Sequence, residues 1–316
     1  MYILITIDCE NTYRQFPFND FTLVNMDGKS YGIPMIMEAL DKRGIKGNFF
    51  LDTCAAEYYG NDTVASVASL ISEQGHEVEL HTHPLDGDFC RIGREKQKEI
   101  IERGIALIKS VARKPPYAFR AGSYMMDESG LAILKEYGIT ADCSNYYGVS
   151  PLSVTRNAVK KINGIYEFPV SFFRLHISPA ISTFNRIAGT HLLYNGNCKL
   201  DINWMNISGL KRVIDTFALN GTAVLVIFLH SYSFADEKKL AQGKRGKDVI
   251  KGEVIKRFNG LLDYFSSENE FEVVTIKWLL EKMNEDNNFS EKILSAPDYV
   301  PHDIWGIDVS HLRLKR

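Results

Sequence analysis

The sequence predicts an α/β fold in which parallel strands curve into a barrel covered by helices. Strand-like and helix-like segments alternate about seven times, a pattern typical of a parallel sheet with helices outside it. The chain has 316 residues, which suits one barrel-sized domain. Polar residues also follow the ends of several predicted strands, where barrel enzymes collect their catalytic groups. These observations favour a barrel over an open doubly wound sheet.

The predicted strands are short apolar runs. The first, YILITID at residues 2–8, is apolar nearly throughout, which is typical of a strand buried on both faces. The most apolar is TAVLVIFLH at residues 222–230. The other strands are predicted over residues 46–53, 76–81, 116–122, 139–145, 165–173 and 271–276.

Helical patterns separate these strands. Gly44 and Gly75 follow two of them as stop signals, and Asp127 and Asn206 are suitable N-cap residues for two others. The helices are predicted over residues 33–43, 62–74, 94–112, 127–138, 207–219, 254–267 and 276–285.

Two segments interrupt the alternation. Residues 174–206 form a long insertion in which a hairpin fits, and residues 287–316 have no clear period. We expect the second segment to pack across the barrel as a C-terminal extension. No internal repeat, low-complexity tract or linker divides the sequence, so a single catalytic domain is expected over residues 1–316.

Composition excludes several classes of partner and site. The chain is 45% hydrophobic and 24% charged with a formal net charge of −2, which gives no reason to expect nucleic acid or an anionic membrane as partner. Five scattered cysteines without a C-x-x-C pair argue for a reducing compartment. The N-terminus lacks the pattern of a signal peptide, and the longest apolar run is too short to span a bilayer. We therefore expect a cytoplasmic protein without a membrane span.

Two histidines end the third predicted strand, in the sequence LHTHP at residues 80–84. Side chains two residues apart share one face of a strand, so His81 and His83 are neighbours. Imidazoles so placed repel each other when protonated but bind a metal ion well as neutral ligands. The alternative is a solvated strand end with two unrelated histidines.

Other polar residues follow the ends of the remaining strands. Asp8 and Glu10 are also two residues apart, so they share a face as the histidines do. Two histidines and a carboxylate form the ligand set expected of a catalytic zinc ion with an open position. The further residues expected at this rim are Arg120, Asp142 and His230.

Four short motifs, TIDCEN, GHEVELHTHP, FRAGSY and FLHSYSF, resemble in order and spacing those of the polysaccharide deacetylases, the NodB-homology carbohydrate esterases. The resemblance covers about residues 1–280. It implies a distorted (β/α)7 barrel, a divalent metal such as Zn²⁺, and hydrolysis of N-acetyl groups on sugars. The LHxHP form is similar to the branch that acts in bacterial surface-polysaccharide and O-antigen biosynthesis.

The resemblance also implies residue roles around the metal. Asp8 matches the catalytic base, and His81 and His83 match the two histidine ligands. The family has a second Asp as ligand where this chain has Cys9, so Glu10 is the substitute ligand. The reverse assignment, with Asp8 as ligand and Glu10 as base, stays open.

Four more roles follow from matching motif positions. Arg120 matches the residue that braces the base, and His230 matches the general acid. Ser123 falls where the family uses a backbone N–H in the oxyanion site. Asp142 resembles the Asp of the following motif, although the Trp of that motif is missing here.

These residues predict a metal-dependent hydrolase that removes an N-acyl group, with acetyl the expected one, from an amino sugar. A cytoplasmic enzyme would act on a small-molecule or lipid-linked sugar precursor. One alternative is an amidohydrolase acting on a non-sugar amide or formyl group. The other is an inactive protein that binds a glycan or a partner, which the Cys9 replacement motivates.

Overall fold

The computed structural model describes residues 1–175 and 197–302. The strands are β1 Tyr2–Cys9, β2 Asn25–Met26, β3 Lys29–Ser30, β4 Asn48–Asp52, β5 Glu77–Thr82, β6 Ala118–Ala121, β7 Ala141–Asp142, β8 Lys160–Ile162, β9 Ile165–Glu167, β10 Phe172–Arg174, β11 Asn197–Lys199, β12 Val224–His230 and β13 Glu272–Val274. The principal sheet has the order β12-β1-β4-β5-β6-β7-β9-β8, with β13 also paired to β1. Its paired strands are parallel except β8 and β9, which are antiparallel to each other. The predicted α/β fold with a curled parallel sheet is confirmed.

The helices lie between the strands as the sequence predicts. Asp127 and Asn206 act as N-caps, since their side chains accept hydrogen bonds from the backbone N–H groups of Gly130 and Gly209. In the described part of the chain, no helix is long and apolar enough to cross a membrane. The helices are Asn19–Thr22, Ile33–Asp41, Ala56–Tyr59, Asn61–Glu73, Arg94–Ala112, Glu128–Glu136, Ile207–Leu219, Glu237–Leu240, Gly252–Ser267, Ile276–Glu285 and Asn287–Leu294.

The last helix was not predicted from the sequence. Residues 287–316 have no clear period in the sequence, yet Asn287–Leu294 is helical. Asp286 explains why, because its side chain caps the backbone N–H groups of Asn288 and Phe289. Residues 303–316 of the predicted extension lie outside the described residues.

The two edges of the sheet meet at Ser171. The Ser171 carbonyl accepts a hydrogen bond from Leu200 N–H at 2.8 Å, and its hydroxyl accepts one from Val226 N–H at 2.9 Å. Leu200 in turn accepts from Phe228 N–H on β12 at 3.0 Å. The chain between β9 and β10 thus leaves the parallel ladder to close the curved sheet.

The predicted insertion is bracketed by a hairpin. β10 and β11 pair antiparallel, with Phe172 opposite Lys199. Residues 176–196, between these two strands, lie outside the described residues.

The side-chain alternation of β1 places the polar residue at its carboxyl end on the inner face of the barrel. Ile3, Ile5 and Ile7 pack in the cluster beneath the helices, whereas Leu4 packs in the interior cluster. Asp8 has the parity of Leu4 and lies opposite His230 on β12. The inner face of β1 therefore leads directly to the residues at the rim.

Candidate metal centre and active site

Glu10, His81 and His83 come together at the carboxyl end of the sheet. Each offers one ligand atom, and these atoms lie within 4.8 Å of one another. Glu10 Oε2 lies 3.0 Å from His81 Nε2 and 2.6 Å from His83 Nε2. Glu10 and His81 are almost fully buried. Burial raises the pKa of Glu10, but His83 and His81 outweigh that effect and hold it well below its ordinary value.

The tautomer of His81 tests whether this trio suits a cation. His81 Nδ1 lies 2.8 Å from the carbonyl oxygen of Arg120, which only accepts hydrogen bonds, so Nδ1 carries the proton. In the neutral ring the Nε2 lone pair then faces a Glu10 carboxylate oxygen. Two lone pairs at this separation repel unless a metal ion or a second proton lies between them. The donor set therefore fits a divalent cation.

His83 is fixed by its backbone and by the turn after β6. Its N–H donates to Asp52 Oδ1 at 3.0 Å. Burial would lower the pKa of His83, but the charge and hydrogen bond of Glu10 raise it to about 9. Gly122 packs directly against the ring, because a Cβ at that position would lie 2.6 Å from His83 Nδ1.

Asp8 forms a buried ion pair instead of joining the histidines. Its Oδ1 accepts from Arg120 Nη1 at 2.5 Å. The fully buried guanidinium also donates to Thr6 Oγ1 at 3.1 Å and to the Cys143 carbonyl at 3.0 Å. Its carbon lies 4.2 Å from the centroid of the Phe50 ring. Arg120 is thus held on several sides and fixes the orientation of the Asp8 carboxylate.

His230 lies on the other side of Glu10. Its Nε2 is 3.6 Å from Glu10 Oε1, and its side chain is 26% exposed. The ring stacks on Tyr232 with centroids 4.8 Å apart and meets Phe228 edge-on at 4.8 Å. Tyr232 Oη also donates to Glu10 Oε1 at 3.3 Å. Burial lowers the pKa of His230, so the ring is neutral at neutral pH and must gain a proton before it can act as an acid.

Ser123 lies exposed in the turn that follows β6. Its φ of 54° and that of Tyr124 at 63° are left-handed, a conformation that costs energy for residues other than glycine. Strain of this kind is concentrated at functional sites. The oxyanion role of Ser123 stays a prediction.

Asp142 lies behind Arg120 and belongs to a separate network. Its Oδ1 accepts from Ser144 Oγ at 2.6 Å, and it lies beside Glu167 in the β7–β9 register. Burial raises the pKa of both carboxyl groups, and that of Glu167 is raised well above its ordinary value. Within the described part of the chain, Asp142 Oδ2 and Glu167 Oε2 have no other hydrogen-bond partner, which one proton shared between them explains. The structure thus separates Asp142 from the Glu10 trio, and its catalytic role stays a prediction.

The structure also adds residues that the sequence analysis missed. Asp52 ends β4 and Tyr232 lies two residues beyond His230, so the same strand-end and parity rules could have found both. Lys199 is different, because only the closure of the barrel brings β11 to the rim, where Lys199 donates to Tyr124.

Three comparisons place the chain among known proteins. Residues 22–141 match the polysaccharide deacetylase family model. Over 115 residues the chain is 29% identical to the peptidoglycan deacetylase-like protein FGM2 of Gibberella zeae. That match takes in 36% of this chain and 32% of the fungal protein, so the chain spans about a third of that relative's length.

Two solved structures share the fold. One is a Mycobacterium smegmatis protein assigned to the polysaccharide deacetylases, with a TM-score of 0.58, 14% identity and 90% of each chain covered. The other is the 4-alpha-glucanotransferase of Thermococcus litoralis, with a TM-score of 0.55 and 12% identity, where the match covers 89% of this chain and 40% of the other. At these identities the likeness shows the barrel fold alone, which hosts different chemistries.

Proposed function

We propose that this protein is a metal-dependent hydrolase that removes an N-acyl group, with acetyl the expected one, from an amino sugar. The proposal starts from the resemblance to the polysaccharide deacetylases, which the family model confirms. One observation carries the proposal, namely the Glu10 carboxylate held between His81 Nε2 and His83 Nε2. Zn²⁺ suits this set of two imidazoles and one carboxylate. A zinc ion held by these residues would supply Lewis acidity toward a carbonyl oxygen and a water molecule.

The ion pair of Asp8 supports its role as the base. Arg120 binds only Oδ1, so Oδ2 is left to accept a proton from the attacking water. The neighbouring guanidinium fixes the orientation of the Asp8 carboxylate through this contact. The Glu10 carboxylate contacts both histidines, whereas the Asp8 carboxylate is paired with Arg120. These contacts favour Glu10 as the metal ligand and Asp8 as the base over the reverse assignment.

His230 and Ser123 complete the proposed reaction. An amide can lose its nitrogen only as a protonated amine, and His230 Nε2 is the partly exposed group placed to give that proton. The Ser123 N–H would donate to the oxyanion. The motif that lacks the family Trp has aromatic side chains nearby. The ring centroids of Tyr124 and Tyr146 are 5.4 Å apart, and the Tyr147 ring is parallel to that of Phe172 with centroids 6.1 Å apart. Sugar rings pack well against such surfaces.

The proposed setting is surface-polysaccharide biosynthesis in the cytoplasm, with a small-molecule or lipid-linked sugar precursor as substrate. The free state of all five cysteines supports a reducing compartment. Subcellular fractionation of the native protein is the direct check of this location.

Metal analysis of purified variants tests the centre. We expect about one equivalent of zinc in the wild type and loss of that metal in Glu10→Ala, His81→Ala and His83→Ala. His76→Asn is the matched control, because His76 is a buried histidine at the opposite end of β5 and Asn preserves an acceptor for the Gly47 N–H.

Retention of metal in Glu10→Ala alone would overturn its role as ligand. Absence of metal after reconstitution, with no release of acetate from any amino sugar, would overturn the proposed function and favour a glycan-binding protein. Release of formate or acetate from non-sugar amides alone would instead establish the alternative of an amidohydrolase that acts on a non-sugar amide or formyl group.

A further inference from the structure

A buried lysine lies next to the proposed catalytic histidine without a complete set of partners. Lys199 ends β11, and its side chain is 10% exposed. Its Nζ lies 3.2 Å from the centroid of the Phe228 ring, whose other neighbours include the His230 ring at 4.8 Å. One aromatic ring thus separates the ammonium from the proposed general acid.

Within the described residues, the Lys199 ammonium has fewer hydrogen-bond acceptors within reach than it has N–H donors. Nζ has three donors, and one of them goes to Tyr124 Oη at 2.8 Å. Asp201 Oδ2 is 3.9 Å away, too far for a hydrogen bond, while Asp201 Oδ1 accepts from Asn203. Among residues 1–175 and 197–302, no second acceptor lies within hydrogen-bond distance of Nζ.

The other charges at the rim have partners of their own. Asp8 is bonded to Arg120, and Glu10 lies between two histidines. Among residues 1–175 and 197–302, Arg120 thus has its counter-charge in hydrogen-bond contact, whereas the buried ammonium of Lys199 has its own, Asp201, only at 3.9 Å. Burial lowers its pKa to about 8, which leaves most molecules protonated at neutral pH.

A buried ammonium in this state favours a ligand that brings a negatively charged oxygen. Burying an incompletely bonded charge is costly, and the face of Phe228 offsets only part of that cost. A carboxylate or phosphate oxygen would supply an acceptor and a negative charge in hydrogen-bond contact with Nζ, which Asp201 at 3.9 Å does not.

Building on the proposed function, we infer that Lys199 is a specificity-determining residue that binds an anionic substituent of the amino sugar close to the acylamino group. That substituent is a carboxylate on the sugar or a phosphate at its anomeric carbon.

The test compares three N-acetylated sugars on the zinc-loaded full-length protein: N-acetylglucosamine 1-phosphate, N-acetylglucosaminuronate and the neutral methyl N-acetylglucosaminide. The wild type should prefer an anionic sugar in kcat/KM. Lys199→Met should lower the ratio of anionic to neutral kcat/KM by about 10- to 100-fold, mainly through KM, since a hydrogen bond to a charged group is removed. Lys199→Arg should retain most of the preference because it keeps the charge.

Lys161→Met is the matched control. Lys161 contacts a tyrosine hydroxyl at 3.0 Å and an aromatic face at 4.4 Å, both from Tyr166, as Lys199 contacts Tyr124 and Phe228. It lies on β8 at the far edge of the sheet, so the substrate ratio should not change.

The outcomes separate this inference from the function on which it rests. A preference confined to the phosphate or to the uronate identifies the source of the anion, and either supports the inference. An unchanged ratio in a folded Lys199→Met protein overturns it while the deacetylase proposal stands. If no sugar is turned over, the deacetylase proposal fails, and calorimetric binding of the 1-phosphate decides the inference: Lys199-dependent binding supports it, and equal binding by both proteins overturns it.

Discussion

The barrel buries carboxyl groups in two neighbouring regions and compensates their charge in different ways. At the rim, Glu10 lies between two imidazoles and Asp8 lies against a guanidinium. On β7 and β9, Asp142 and Glu167 have each other as neighbours, and burial raises the pKa of both. The first region surrounds its acids with imidazole and guanidinium groups, whereas the second holds a proton between its two carboxyl groups.

This difference distinguishes carboxylates that contact imidazoles or a guanidinium from a pair of carboxyl groups that contact each other. An ionised carboxylate with imidazole neighbours can bind a metal or accept a proton. A carboxyl pair that already holds a proton is a hydrogen bond between two short strands, and it contributes to stability. We therefore expect changes at the rim to alter catalysis and changes in the pair to alter the pH dependence of folding.

The largest expected effect is at the rim. His230→Ala should lower kcat by about 10²- to 10⁴-fold, because it removes the proposed proton donor for the departing amine. Metal content should not change, since the proposed ligand atoms belong to Glu10, His81 and His83. Steady-state kinetics and metal analysis on one preparation provide the check. Loss of zinc from this variant would contradict the division of roles.

The carboxyl pair should govern a pH dependence of stability. Because its pKa is raised in the folded protein, the stabilisation is complete below the ordinary carboxyl range and is lost as pH rises through the raised value. Glu167→Gln keeps a donor toward Asp142 at every pH. The wild type should therefore lose about 1–3 kcal/mol of unfolding free energy relative to this variant as the pair ionises.

Urea denaturation over a series of pH values measures this effect. Parallel pH profiles for wild type and Glu167→Gln would show that the pair does not hold the proton. Glu167→Gln should not lose kcat to the extent expected of His230→Ala. The two variants together therefore test whether the rim affects catalysis and the carboxyl pair affects stability.

The smallest expected effect lies at the edge of the rim. Tyr232→Phe removes the hydrogen bond to Glu10 Oε1 but keeps the ring that stacks on His230. Metal affinity, measured by competition with a chelator, should fall by about 2- to 10-fold. Tyr13→Phe is the control, because it removes a similar hydrogen bond to Glu237, a residue outside the ligand trio. Equal affinities in wild type and Tyr232→Phe would mean that the histidines alone orient Glu10.

Local patterns predicted the helices well and the short strands less well. The helix predicted over residues 94–112 has the bounds Arg94–Ala112, because its amphipathic period is continuous. The strand predicted over 139–145 pairs only at Ala141–Asp142, and the one over 165–173 ends at Glu167. An apolar run indicates burial, whereas ladder pairing depends on where the sheet must close.

The same distinction explains what could be predicted at the site. Parity within one strand brought His81 beside His83 and gave Glu10 the face of Asp8, since side-chain alternation is a local property. Lys199 could not be placed in this way. Its position depends on β11 crossing to β12, which residues far apart in the chain determine together.

The hairpin that carries Lys199 has a consequence for the diversification of such enzymes. Its strands pair with each other, while the proposed ligand trio and the proposed base stand on or next to β1 and β5 in the parallel ladder. On the proposed roles, an exchange of the hairpin alters the lysine that contacts the sugar without moving the hydrolytic residues. Substrate preference becomes an interchangeable part, and grafting hairpins between homologues is a direct route to new substrate range on an unchanged reaction.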